Sequence, residues 1–147
     1  LKKLNLIIIE DEEHSARKLE GYLLAINPLI NVQARLKSVK NAVNWLRHHP
    51  EPDVIFLDIQ LSDGLSFHIF KKVEVQSFII FLTAYEQFAI RAFELNSIDY
   101  VLKPFSQQDI QNSLKKLDDR VRQHSRFIAQ ALLPLMEKKE DYKSRFL

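Results

Sequence analysis

Leu6-Ile7-Ile8-Ile9-Glu10-Asp11 is the stretch that decides the fold: a short apolar run that stops on two acids. The same phrase returns as Val54-Ile55-Phe56-Leu57-Asp58. Short β-branched runs bounded by polar residues read as strands buried on both faces, the habit of parallel sheets. If both strands run the same way, their C-terminal ends open on one crevice, where open α/β sheets bind ligands. Three carboxylates then meet there. Two more strand ends add Thr83, after Phe78–Leu82, and Lys103-Pro104, after Tyr100–Leu102.

Outward from these strands the pattern turns helical. Ala16, Leu19, Leu23 and Ile26 share one face of a helix running from Glu12 to Ile26, where Asn27-Pro28 ends it. Gly21 inside it costs about 1 kcal/mol relative to Ala. Val32–Leu36 alternates and reads as an edge strand. Ser38 can cap a second helix, with Val39, Val43 and Leu46 inward, that stops at His48-His49-Pro50. Leu65–Val73 and Glu86–Leu95 read as a third and a fourth helix, and a long last helix starts near Gln107. Five strands alternating with five helices predict a flavodoxin-like (βα)5 doubly wound parallel sheet of order 2-1-3-4-5, with right-handed crossovers and helices on both faces.

The last helix carries a heptad seam: Ile110, Leu114, Leu117, Val121, His124, Ile128, Ala131 and Leu135 recur in steps of four and three. Ile110 to Leu117 are expected to pack on the sheet. Past Val121 the helix is expected to outrun it, as a dimeric coiled coil or an interdomain signalling helix, with Pro134 ending or kinking it.

Composition narrows the classes. A chain of 147 residues, 46% hydrophobic, suits one domain with a real core plus an appendage. It has no cysteine, hence no disulfide framework and no thiolate zinc site. No apolar stretch approaches the ~20 residues of a membrane span, and Leu1-Lys2-Lys3-Leu4 lacks a signal-peptide design. A cytoplasmic protein without a membrane partner is expected. Residues 1–114 hold 12 Lys and Arg against 14 Asp and Glu, and residues 115–147 hold 9 against 5. Neither balance marks a nucleic-acid binder. His14, His48, His49, His68 and His124 form no metal-ligand pairing, and Trp45 reads as partly buried packing.

The carboxylates point to a chemistry. Like charges at 4 Å repel by about 4 kcal/mol at an effective dielectric of 20, so the cluster needs a cation or a proton. Hard oxygen ligands with room for water favour Mg²⁺. An Asp carboxylate can accept a phosphoryl group, and such transfer asks for positioning and charge neutralisation rather than a strong base. Lys103 supplies a second positive charge and Thr83 a hydroxyl. Singly, each residue has a plainer role: Glu10 and Asp11 as acids at a helix start, Asp58 in a turn, Thr83 as a β-branched strand end, Lys103 as a solvated charge. Their joint placement at strand ends of one fold favours the constellation.

The residues resemble the receiver domain of a two-component response regulator. The matching stretches are Ile7-Ile8-Ile9-Glu10-Asp11-Glu12, Phe56-Leu57-Asp58-Ile59, Leu82-Thr83-Ala84-Tyr85 and Asp99-Tyr100-Val101-Leu102-Lys103-Pro104-Phe105. The resemblance covers about residues 4–120. It implies Asp58 as phosphoacceptor and a Mg²⁺ site of Asp11, Asp58, the Gln60 backbone carbonyl and, through water, Glu10. It further implies Thr83 and Tyr100 as a switch pair, Lys103 on the phosphoryl group and a cis bond before Pro104. The partner would be a sensor histidine kinase. Such a domain is a phosphoacceptor signalling module, not an enzyme beyond its own phosphorylation and dephosphorylation.

Thr83-Ala84-Tyr85-Glu86-Gln87-Phe88-Ala89-Ile90-Arg91-Ala92-Phe93 and Asn96-Ser97-Ile98-Asp99-Tyr100 are similar to receivers of the LytTR/AlgR class. That likeness implies a receiver over 1–122 and a linker over 123–147, leading to a LytTR-type DNA-binding output domain that is missing here. It also implies a homodimer on phosphorylation, through the face of the fourth helix, fifth strand and fifth helix. Three departures from the family stand out: Glu10 for the commoner Asp, a shorter loop Gln60-Leu61-Ser62-Asp63-Gly64 with Ser62 where Pro is common, and Glu13-His14 for a frequent Pro and apolar pair. The alternative is a phosphorylation-independent pseudo-receiver. A stand-alone receiver is a further reading. A phosphohydrolase would need an acid two residues after Asp58, where Gln60 stands.

Overall fold

The computed structural model describes residues 2–95 and 97–146, with residues 136–146 described by their backbone alone. Leu1, Asn96 and Leu147, which fall in the quoted start, in a matched stretch and in the expected linker, lie outside the described residues.

The apolar runs make a parallel sheet. Its strands are β1 (Leu4–Ile9), β2 (Ile30–Leu36), β3 (Val54–Leu57), β4 (Phe78–Thr83) and β5 (Ser97–Leu102), ordered β2-β1-β3-β4-β5. β1, β3 and β4 are interior strands, nearly continuous in burial, whereas β2 alternates as an edge strand does. Side chains alternate between two cores. Ile7, Ile9, Ile55, Leu57, Ile79 and Phe81 face α2 (Val39–His48), α3 (Ile69–Lys72) and α4 (Ala89–Phe93). Leu6, Ile8, Val54, Phe56, Ile80 and Leu82 face α1 (Glu13–Ile26) and α5 (Gln107–Phe146).

Several boundaries differ from the sequence reading. The third helix is α-helical only over Ile69–Lys72: Leu65 pairs in a small antiparallel ladder, Gln60–Leu61 with Gly64–Leu65, and Ser66–His68 is a 3-10 turn. The fourth likewise opens as 3-10 over Glu86–Phe88. β5 begins at Ser97, because its half-buried edge position tolerates the mixed sequence Ser-Ile-Asp-Tyr. Helix α5 runs through Pro134 to Phe146, so the expected stop there is not met. Pro134 withholds one amide from the Gln130 carbonyl, and Gln130 is exposed, so water can take its place.

The shortened loop after β3 closes inside that ladder. Gly64 takes φ 141°, a left-handed value that L side chains avoid. Asp63, in the same turn, reaches across to accept from the amides of Val39 and Lys40 at 2.8 and 3.1 Å, while Ser38 Oγ accepts from Asn41 at 3.0 Å. The start of α2 is thus held by a near cap and a remote one.

Candidate functional site

Register places the site. Ile9 pairs with Leu57, Leu57 with Phe81, and Thr83 with Leu102, so the strands finish nearly level. The residue after each end is pinned by backbone bonds: Glu10 donates to Leu36, Asp58 to Ile9 and Lys103 to Thr83, at 2.8, 2.9 and 2.8 Å. Glu10, Asp11 and Asp58 each bring a carboxylate oxygen within 4.8 Å of the others. Glu10 and Asp11 are not spent on capping α1: its N-cap residue is Glu12, which makes no side-chain cap bond.

Lys103 closes the cluster. Its ammonium donates to Glu10 Oε1 and, at 3.0 Å, to Asp58 Oδ2, and it lies 3.9 Å from Glu12. Glu10 and Asp58 are buried, and Lys103 is mostly so. Burial pushes the Glu10 carboxyl up to about 7; the Lys103 bond works the other way, and the Asp58 charge adds to the rise. Burial also works against the Lys103 ammonium, but the Glu10 and Asp58 carboxylates outweigh it and hold the lysine above its ordinary value. Glu10 Oε2 is buried with no hydrogen-bond partner. An orphaned buried carboxylate oxygen beside two more carboxylates fits a hard divalent cation.

Beyond the acids, Thr83 is buried at the end of β4. Its Oγ1 accepts a long bond, 3.4 Å, from the Tyr85 amide, and the Tyr100 hydroxyl donates to the Tyr85 carbonyl. Tyr100 packs against Phe81, ring centroids 6.1 Å apart. Both members of the expected switch pair therefore hang on the main chain of one residue. The Gln60 amide faces Asp58 Oδ1 at 3.4 Å. The Lys103-Pro104 peptide is cis.

The model of the response regulator receiver domain matches residues 6–115. The chain belongs to that family. The receiver is 39% identical over 113 residues to the sensory transduction protein LytT of Bacillus anthracis, a match covering 75% of this chain and 46% of LytT. It is 37% identical over 114 residues to the sensory transduction protein LytR of Staphylococcus epidermidis, covering 76% and 45%. Among solved structures, the response regulatory domain of protein mrkE from Klebsiella pneumoniae superposes with TM-score 0.71 at 32% identity, covering 82% of this chain and 99% of that one. The chain spans about half the length of the relatives it matches. A receiver is a signalling domain rather than a catalytic enzyme.

Sequence reasoning missed three participants in this receiver. Glu12 approaches Lys103, signalled only by a third acid in the run. The Tyr85 backbone and the cap from Asp63 had no signal, because main-chain bonds and remote caps leave no periodic trace. Among the described residues no helix is long and apolar enough to cross a membrane.

Proposed function

We propose that Asp58 accepts a phosphoryl group from the phosphohistidine of a sensor histidine kinase, and that the receiver thereby switches its surface. The N–P bond of the donor breaks, a bond forms between an Asp58 oxygen and phosphorus, and the imidazole regains a proton. The supporting observation is the meeting of Glu10, Asp11, Asp58 and Lys103 at level strand ends, with Asp58 bonded to the lysine at 3.0 Å. Asp11, Asp58 and the Gln60 carbonyl would hold Mg²⁺, with Glu10 assisting through water; the ion supplies charge neutralisation for the incoming phosphoryl oxygens.

Lys103 orients those oxygens, and Thr83 donates its hydroxyl to one of them. Charge-assisted hydrogen bonds contribute roughly 1.5–3 kcal/mol each. A full population switch needs about 5.5 kcal/mol of differential stabilisation, so a few such bonds suffice. As Thr83 turns inward, Tyr100 repacks, and the face of α4, β5 and α5 changes. In this reading residues 1–122 are the receiver and 123–147 a linker. The longer protein carries a LytTR-type DNA-binding output domain and controls transcription as a phosphorylation-dependent homodimer.

The test is uptake of label from a small-molecule phosphodonor. Wild type labels in Mg²⁺ and fails to label in chelator, while Asp58→Asn fails in both. Labelling of Asp58→Asn moves the acceptor elsewhere, and labelling in chelator removes the metal from the mechanism.

A further inference from the structure

The far side of the sheet from α1 and α5 holds a feature the phosphoacceptor reading does not use. A groove of about 900 Å³ runs between α2 and α3. Lys40, Arg47, Lys71 and Lys72 line it, with His48 and His68 beside them. Its one acid, Asp63, is engaged by the amides of Val39 and Lys40. The receiver body is net acidic, so these cations are a local gathering that net charge hides.

Arg17, Arg35, Lys37, Lys103, Lys116 and Arg122 all have carboxylate partners. Among the described residues, no carboxylate lies within 4.0 Å of the Lys40, Arg47, Lys71 or Lys72 side-chain nitrogens. What sets these cations apart is their convergence on one groove, since Lys2, Lys3, Lys18, Arg91, Lys115, Arg120 and Arg126 likewise have no carboxylate partner among the described residues. Helix electrostatics favours Arg47, which lies in the last turn of α2 and donates to the Lys72 carbonyl at 3.3 Å, but it does not account for the other three. Lys40 sits in the first turn of α2, where the macrodipole disfavours a cation. Helix α3, with two lysines in its last turn, has four residues and little dipole to complement.

The lining also says what kind of anion fits. Apart from the buried Val39 and Val43 and the engaged Asp63 it is Lys, Arg, His and Asn. A protein partner would want an aromatic or aliphatic anchor at its centre, and no exposed apolar side chain lines this groove. Phosphate backbones are instead contacted by Lys, Arg and Asn without apolar anchors. We infer that the α2–α3 groove is a contact surface for the phosphate backbone of duplex DNA. Such contacts supply affinity that is independent of base sequence. The inference goes beyond the phosphoacceptor reading and does not depend on it.

The experiment is fluorescence anisotropy of this chain with a labelled duplex of arbitrary sequence, over about 50 to 200 mM salt. Four phosphate contacts give a log–log salt slope of about −3.6, a roughly 100-fold loss of affinity across that range. The triple variant Lys40→Gln/Lys71→Gln/Lys72→Gln makes the slope shallower by about 3. A control removing the same charge from α5, Lys115→Gln/Arg120→Gln/Arg126→Gln, leaves the groove's share intact. Equal loss in the control, or no binding of the duplex at the lowest salt, overturns the inference. So does a poly-glutamate peptide of matched charge that binds more tightly than the duplex, which would assign the groove to an acidic protein. Phosphodonor labelling of each variant is read in parallel, so this inference and the phosphoacceptor reading fail separately.

Discussion

Glu10 has two oxygens with different fates. Oε1 takes the Lys103 ammonium, and Oε2 is buried without a partner. With its carboxyl raised from 4.5 to about 7, the folded protein keeps a proton that the unfolded chain has released. By linkage, stability from this group is fully present below about 4.5 and is lost as pH rises through about 7. Lys103 is raised above 10.5, so its contribution stays constant over that window. In chelated buffer, the unfolding free energy from urea titrations should therefore fall between pH 4.5 and 7, by on the order of 1–3 kcal/mol. Glu10→Gln should flatten that fall; an unchanged slope would place the titration elsewhere. Asp58, Thr83 and Lys103 were legible because each directly follows or ends an apolar run. That Lys103 bonds Glu10 was not, since 93 residues separate them and no local pattern links an ammonium to one acid over another.

Elements were legible in proportion to their burial. β1 and β3 read as unbroken apolar runs because both faces are covered, and β3 begins and ends where the run does. β5 was under-read, since at the sheet edge it keeps Ser97 and Asp99 half exposed. α3 and α4 were over-read, because a 3-10 entry and an α-helical turn share nearly the same apolar spacing. In α1, Gly21 is exposed and a methyl group there would meet nothing within 4 Å. Gly21→Ala should then stabilise the receiver by about 0.5–1 kcal/mol, through the backbone freedom Gly gives the unfolded chain. A thermal or urea unfolding curve reads this directly, and a loss of stability would mean that the helix needs glycine here.

At the scale of the molecule, exposed apolar side chains gather in two places. Ile90 and Phe93 on α4 are 83% and 88% exposed, and Phe127 and Leu135 on α5 are 69% and 63% exposed. The heptad seam splits between two duties. Ile110 and Leu117 are in the core, Leu114 and Val121 pack against it, and His124 still meets the Phe78 ring edge-on. Among the described side chains, the helix offers an apolar face to solvent over Phe127, Ile128, Leu132, Leu133 and Leu135. Beryllofluoride, as phosphoryl mimic, should raise the mass in light scattering to that of a dimer. Phe93→Lys or Ile128→Lys should return it to monomer. A wild type that stays monomeric with the mimic bound would take dimerisation out of this chain's output.

Thr83 and Tyr100 meet through an amide and a carbonyl that both belong to Tyr85. What joins them is thus peptide backbone, common to every amino acid but proline at its donor end. Any residue but proline at position 85 keeps both bonds, so the phenol ring there is free to serve a separate contact.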